Sequence, residues 1–351
     1  MPLFEIGDRK IGPGFPTYIV AEMSANHNQD FDQAVKLVEA AKKAGADAIK
    51  LQTYTPDTIT IRSGMEYFRI HGGTPWDGVT LYDLYSEAYM PWQWQPKLQS
   101  IAHGVGLELF SAAFDNTAVD FLEEMDVPVH KIASFEIVDI PLIEKMGRTG
   151  KPLIISTGMA TLEEVEEAVQ AARRSGASQI ALLKCTSAYP APPEEMNLKT
   201  IPHLSARFQV PVGLSDHTTG IAVPVAGVAL GACLVEKHLT LSRALPSPDS
   251  NFSLEPQEFS TMVEAIRTAE KALGEVHYGV TGHEAKIQVY RRSLFAVRDI
   301  KKGTQFTEEN VRSIRPGHGL SPKYLKDVLG GRASVDIKQG TPLTWELMLR
   351  R

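Results

Sequence analysis

From Thr17 to about residue 275, short apolar, β-branched runs alternate with longer stretches whose apolar positions recur at helical spacing. The first pattern predicts buried strands, the second amphipathic helices, and their alternation βα units on a parallel sheet. Eight runs fit: TYIVAE ending at Glu22, AIKLQT at Thr53, LELFS at Ser111, VHKIAS at Ser134, LIISTG at Gly158, IALLKCT at Thr186, VGLSDH at His217 and CLVEKH at His238. Eight is the count at which a (β/α)8 TIM barrel closes.

The intervening helices are legible too. Phe31, Ala34, Val35, Val38 and Ala41 form one apolar stripe, which Gly45 should end. Over 161–176, Thr161 with Glu164 makes a capping-box signature, Val165, Ala168, Val169 and Ala172 the stripe, and Gly176 the stop. Residues 54–96 are long for a βα connection and carry Tyr54, Tyr67, Phe68, Trp76, Tyr82, Tyr85, Trp92 and Trp94. Such an insertion serves either as a substrate lid at the barrel mouth or as an insert packed on its own aromatics.

After Gly274 the periodicity stops. A barrel over 1–280, a polar linker with a basic helix over 281–292 and a separate module over 293–351 are expected. Within the module, RDIKKGTQF at 298–306 and VDIKQGTPL at 335–343 repeat one pattern: strand, Ile-Lys turn with Gly303 or Gly340, strand. So small a module rarely has a self-sufficient core, so it should dock on something.

Composition narrows the partners. The chain has 351 residues, 43% hydrophobic and 22% charged, and a formal charge of −6, which gives no electrostatic reason to expect nucleic acid. No apolar run approaches a bilayer span, and MPLFEIGDRK does not read as a signal peptide, so a cytoplasmic location without membrane attachment is expected. Cys185 and Cys233 lie in apolar runs and read as buried thiols.

Barrel chemistry is carried at the carboxyl ends of the strands, and all eight predicted strands end in polar residues. Lys50, Lys131, Lys184 and Lys237 sit in or just after apolar runs, where a buried ammonium costs several kcal/mol unless an anion compensates. With Ser111, Ser134, Ser156 and Ser215 they suit a small substrate bearing phosphate and carboxylate. The alternative pairs each lysine with a carboxylate such as Glu22 or Glu236, and strand alternation will turn some lysines outward. His217 and His238 close neighbouring strands and together suit a divalent ion with open positions, with Glu22 and Asp249 as further candidates. Mg2+ or Mn2+ fits a site that also handles phosphate oxygens, although two imidazoles satisfy zinc equally.

Motifs along nearly the whole chain then carry a resemblance: AEMSANHNQD at 21–30, KAGADAIKLQTYTPDTITI at 43–61, KIASFE at 131–136, STGMAT at 156–161, KCTSAYP at 184–190, GLSDHTTG at 213–220, ALGACLVEKHLT at 229–240 and RPGHGL at 315–320. Together they resemble the sialic acid synthase family. Within it, YTPDTITI, the 72–94 insertion and the SDHTTG-to-EKH region are more similar to the branch making pseudaminic acid than to those making N-acetylneuraminic or legionaminic acid.

The resemblance implies a TIM barrel followed by a small antifreeze-like (SAF, β-clip) domain, and a transferase that condenses phosphoenolpyruvate with an amino-sugar aldehyde. In the mechanism the resemblance implies, a divalent ion held by His217 and His238 would polarise the aldehyde for attack by carbon 3 of phosphoenolpyruvate. Water captures carbon 2, and phosphate leaves by C–O cleavage. By motif position, Lys50, Lys131, Ser134, Ser156, Lys184 and Ser215 would hold phosphoenolpyruvate, and Glu22, Gln52, Tyr189 and Asp249 would face the sugar or its proton transfers. The resemblance also implies a domain-swapped homodimer in which Arg315 reaches the partner's site.

Two positions depart from the family pattern. Ser111-Ala112-Ala113-Phe114 stands where a hydroxyl residue followed by Pro is usual, so one phosphate contact is missing or supplied by Ser111. Ser187 replaces an Asn of the sialic acid branch. A Schiff-base aldolase using one of the lysines, and a non-catalytic sugar-binding protein, are the competing readings.

Overall fold

The computed structural model describes residues 4–74, 76–177 and 179–349, and divides the chain into two compact units, residues 1–274 and 275–351. In the first unit, strands β1 (Phe4–Ile6) and β2 (Arg9–Ile11) form an antiparallel hairpin. Eight further strands follow: β3 (Tyr18–Glu22), β4 (Ala48–Thr53), β5 (Glu108–Ala113), β6 (His130–Ile132), β7 (Leu153–Ser156), β8 (Ile180–Cys185), β9 (Val212–Asp216) and β10 (Leu234–His238). They close a parallel barrel in chain order, with β10 pairing back onto β3. All eight predicted runs are barrel strands.

Alternation along the strands sorts two apolar layers. Val20, Ala48, Phe110 and Ile154 share one buried cluster. Their strand neighbours Ile19, Ala21, Ile49, Leu51 and Leu109 share another with Ala34, Leu37, Val38 and Ala41 of the helix Phe31–Lys43, and with Phe259 and Met262 of the helix Pro256–Leu273. The first set faces into the barrel and the second faces the helices. Glu22, Lys50 and Gln52 continue the inward set by the same two-residue period.

The β1–β2 hairpin was not anticipated, because three-residue strands are too short to show a period. Glu5 N donates to Gln179 Oε1 and Arg9 Nη1 reaches Asp47 Oδ1, groups just before β8 and β4, so the hairpin lies across the amino ends of the strands. Phe4, Ile6 and Ile11 are at most 1% exposed and join the inward cluster. That end of the barrel is filled with hydrocarbon, which leaves the carboxyl end for chemistry.

The predicted helices form with their predicted caps. Asp30 accepts from the amides of Asp32 and Gln33 ahead of Phe31–Lys43, and Gly45 follows it at φ +91°. Thr161 and Glu164 make the reciprocal capping box of Leu162–Ser175, which Gly176 ends in the left-handed region. The 54–96 insertion holds the short helices Pro56–Ile59 and Leu81–Ala88 with 3-10 turns between and after them.

In the second unit, β11 (Ser293–Ala296) pairs antiparallel with β12 (Val311–Ile314) over a small core of Leu294, Ile300, Phe306, Val311, Ile337 and Leu343. The two copies of the sequence repeat meet face to face rather than forming four separate strands. Ile300 and Ile337 exchange backbone hydrogen bonds of 2.8 Å. Lys301 pairs with Asp336 at 2.8 Å and Lys338 with Asp299 at 2.9 Å, related by the same internal two-fold. The basic helix expected over 281–292 is absent among the described residues; Glu284–Lys286 and Gln288–Tyr290 are single 3-10 turns. So short a stretch cannot offset the cost of helix nucleation.

Candidate active site

The carboxyl ends of the strands gather a buried charged cluster inside the barrel. Lys50 Nζ lies 2.6 Å from Glu22 Oε2 and 3.6 Å from Glu236 Oε1, all three residues being almost wholly buried. Gln52 Nε2 donates to the other Glu22 oxygen at 3.2 Å, and Ser215 Oγ to Glu236 Oε1 at 3.1 Å. Burial pushes the Glu22 carboxyl up, with Glu236 adding to the effect and Lys50 opposing it. For Lys50, burial is outweighed by Glu22 and Glu236, which hold its ammonium above the ordinary lysine value.

Lys131 is placed differently. Its ammonium, 1% exposed, donates to Ser156 Oγ and to the Ile132 carbonyl, both at 2.7 Å, and it forms no ion pair among the described residues. Burial, reinforced by Lys50 and opposed by Glu236, lowers its pKa to about 8. A buried cation held only by neutral acceptors is a ready anion site. Ser134, three residues further on, accepts from Ser187 Oγ at 2.8 Å. Gly158 has to be glycine here. It sits at φ +47°, and a Cβ would come within 2.5 Å of Ser134 Cβ and 3.0 Å of Ser187 Oγ.

His217 and His238 are brought together as the sequence suggested, with ring centroids 5.3 Å apart. His217 Nδ1 donates to the Thr186 carbonyl at 2.9 Å, so in its neutral form the ring presents its lone pair at Nε2. His238 Nδ1 is buried without a partner, and burial together with His217 and the neighbouring lysines keeps this ring neutral. For His217 burial is outweighed by Cys185 and the Thr186 carbonyl, which raise its pKa, so a divalent ion there would take the place of that ring's second proton, while His238 offers a neutral imidazole with an unpartnered nitrogen. Among the described residues no group of three or more His, Cys, Asp or Glu side chains is set to hold one alone. Two protein ligands leave the remaining positions to water and substrate.

The rim beside the imidazoles is aromatic. Tyr189 packs at a tilt against His217 at 4.5 Å and Phe252 at 5.2 Å, and Phe252 stands edge-on to His238 at 5.0 Å. From the 54–96 insertion, Trp76 packs 5.8 Å from Tyr189 and donates Nε1 to the Pro248 carbonyl at 3.2 Å. The neighbouring Asp249 is buried, and one of its oxygens accepts from Ala25 N at 3.2 Å. Burial raises its pKa, with Ser24 and Ala25 working against that.

Ser111, Lys184 and Lys237, three barrel residues expected at the site, are not brought to this cluster. Ser111 Oγ lies 2.6 Å from Thr53 Oγ1, which itself donates to Gln95 at the start of the helix Gln95–Gly104, so Ser111 faces the helical layer. On β5 it is the fully buried Ala112 that takes the inward position. Lys184 donates to Cys185 O and Thr186 Oγ1, on the opposite side of β8 from Cys185 Sγ, which points at His217. Lys237 likewise turns outward and forms a fully buried pair with Asp216 at 2.5 Å. Arg315 belongs to the second unit, where it lines a surface hollow of about 590 Å3 with Ile287, Tyr290, Arg291 and Arg292.

Sequence reasoning passed over Glu136, read Cys185 only as a buried thiol and Ser187 only as a departure from the family pattern, and treated Glu236 only as a counter-ion. Strand parity could have found two of them. His238 facing inward places Glu236 inward, and an inward Cys185 displaces Lys184. Glu136, inside the KIASFE motif, keeps one buried oxygen without a partner, and burial pushes its pKa up to about 7 against the pull of Lys131.

A closed parallel barrel with lysines, carboxylates and paired imidazoles at its carboxyl end, followed by a small β module, defines the class: a (β/α)8-barrel protein with a charged, metal-competent mouth and a C-terminal SAF domain, whose pattern matches residues 291–348. The chain belongs to the NeuB family, which matches residues 37–278. It is 46% identical to a pseudaminic acid synthase of Campylobacter jejuni, over 93% of this chain and 95% of that protein. It is 45% identical to a pseudaminic acid synthase of Helicobacter pylori, over 94% and 97%. Among solved structures it is similar to the N-acetylneuraminic acid synthetase of Leptospira borgpetersenii, with 30% identity, a TM-score of 0.72 and coverage of 82% and 95%.

Proposed function

We propose that this chain is a pseudaminic acid synthase, condensing phosphoenolpyruvate with 2,4-diacetamido-2,4,6-trideoxy-β-L-altropyranose to give pseudaminic acid and phosphate. The observation that carries the reading is the Lys131 ammonium, buried inside the barrel without a carboxylate and hydrogen-bonded to Ser156. A phosphate or carboxylate of phosphoenolpyruvate is the counter-ion that its desolvated charge calls for. The relatives named pseudaminic acid synthase, at 46% and 45% identity over most of both chains, support this sugar ahead of the N-acetylneuraminic and legionaminic alternatives.

A divalent ion, Mn2+ or Mg2+, held by His217 and His238 would supply Lewis-acid polarisation of the sugar aldehyde. Lys131, Ser156, Ser134 and Lys50 bind and orient phosphoenolpyruvate so that its carbon 3 meets the aldehyde carbon. That C–C bond forms, a water oxygen adds at carbon 2, and the bond from carbon 2 to the phosphate oxygen breaks as carbon 2 becomes the ketone, the water's two protons ending one on the former aldehyde oxygen and one on the departing phosphate. Glu22, hydrogen-bonded by Gln52 and raised by burial, would take a proton of that water. Tyr189 and Asp249 form the sugar side, with Trp76 of the 54–96 insertion closing over them as a lid. The SAF module acts as the partner's lid in a domain-swapped homodimer, Arg315 reaching the sugar of the other subunit. Residues 281–292 serve as its linker. No helix among the described residues is long and apolar enough to cross a membrane, which suits a cytoplasmic biosynthetic role.

Phosphate release is the test. It is expected only when phosphoenolpyruvate, a divalent ion and the altro-configured 2,4-diacetamido sugar are all present, and to be much slower with manno-configured sugars. A faster turnover with a manno sugar would overturn the assignment of the sugar. An imine trapped by borohydride would overturn the reaction class.

A further inference from the structure

We infer that Asn26 is a positioning residue that fixes the Asp249 carboxylate in the barrel mouth. The consequence for turnover rests on the reading of Asp249 as a sugar-facing group.

Asp249 is carried by a connection without regular structure between Thr240 and the 3-10 turn Ser250–Phe252. Such a segment has no ladder of its own to hold it. The fully buried side-chain amide of Asn26, in the turn after β3, supplies the hold. Its Nδ2 donates to Ser253 Oγ and to the Leu239 carbonyl, both at 2.9 Å, and its Oδ1 accepts from Ser247 Oγ at 2.5 Å. One amide therefore grips the connection at both ends.

The two serines pass the hold to Asp249 itself. Ser253 Oγ donates to the Asp249 carbonyl at 2.6 Å, and Ser247 Oγ accepts from Asp249 N at 3.3 Å. The residue before Asn26 completes the arrangement, Ala25 N donating to Asp249 Oδ2 at 3.2 Å. Asn26 is itself anchored, its carbonyl accepting from Gln33 Nε2 at 2.6 Å on the helix Phe31–Lys43.

Only an amide of this length fits. Two donors and an acceptor are all used. Aspartate would keep the acceptor and lose both donors, and leucine would lose all three. The same hold fixes Phe252, which stands against His238, so the imidazole side of the mouth depends on it as well.

The test uses the full chain with Asn26→Ala, Asn26→Asp and Ser247→Ala. Crystal structures give the position of Asp249; steady-state kinetics give KM for each substrate and kcat. Displacement of Asp249 by about 1 Å or more is expected in both Asn26 variants. Sugar kcat/KM should fall about tenfold to a hundredfold with the phosphoenolpyruvate KM within about twofold. Ser247→Ala, which removes the hydroxyl that links Asn26 Oδ1 to Asp249 N at a partly exposed serine, should show the same split at smaller size and decides the matter if the Asn26 variants do not fold. Asp249 remaining in place, or both substrates weakening in parallel with a fall in Tm, overturns the inference. A displaced Asp249 with unchanged sugar kinetics upholds the positioning role and instead removes Asp249 from the sugar site.

Discussion

The Lys50 ammonium lies 2.6 Å from Glu22 Oε2, and the two residues face each other in register on β3 and β4. That pair, together with Glu236, neutralises one of the two inward lysines and leaves Lys131 as the charge without a carboxylate. The division sets different expectations for the two. Lys50→Met strands two buried carboxylates and is expected to destabilise the fold by about 3–5 kcal/mol. Lys131→Met removes a desolvated charge and should leave Tm close to wild type or raise it, while abolishing phosphoenolpyruvate binding. Thermal unfolding and titration with phosphoenolpyruvate check both.

The pKa of Lys131, lowered to about 8, gives a pH dependence with a definite sign. The protonated form holds the anion, so kcat/KM for phosphoenolpyruvate should fall about tenfold per pH unit above that value. Stability runs the other way. Between about 8 and the ordinary 10.5 the unfolded chain binds the proton more tightly than the folded one, so this group adds stability as pH rises. A pH profile of Lys131→Gln that keeps the alkaline fall would locate the titration elsewhere.

His217→Ala is expected to lose most activity while remaining folded, because the ring sits at the mouth rather than in the apolar core. Calorimetric titration with Mn2+ should show weaker binding by about tenfold or more. Near wild-type turnover at low metal would remove His217 from the ligand set.

Asp216 and Lys237 form a pair with no side-chain exposure, outside the charged cluster. Asp216→Ala leaves an uncompensated buried ammonium and should cost about 3–5 kcal/mol, whereas Asp216→Leu combined with Lys237→Met should recover much of that loss. Chemical denaturation measures both.

Arg315→Ala is expected to raise the sugar KM with little change in Tm, since the side chain lines a surface hollow rather than a core. An unchanged sugar KM would remove the proposed contact in trans.

The sequence by itself determined the barrel. Eight apolar runs at βα spacing, two helices with legible caps and a polar group at every strand end were enough, because burial and capping are local and periodic. It also determined the meeting of His217 with His238, since neighbouring strands place their ends together. Only the tertiary structure decided which polar groups face inward. Ser111, Lys184 and Lys237 end apolar runs as convincingly as Lys131 does, but side chains alternate across a strand and the closed barrel's register selects one face. The hold of Asn26 on Asp249 was beyond the sequence for the same kind of reason. It joins residues more than 220 positions apart through an irregular segment, where no period exists to be read.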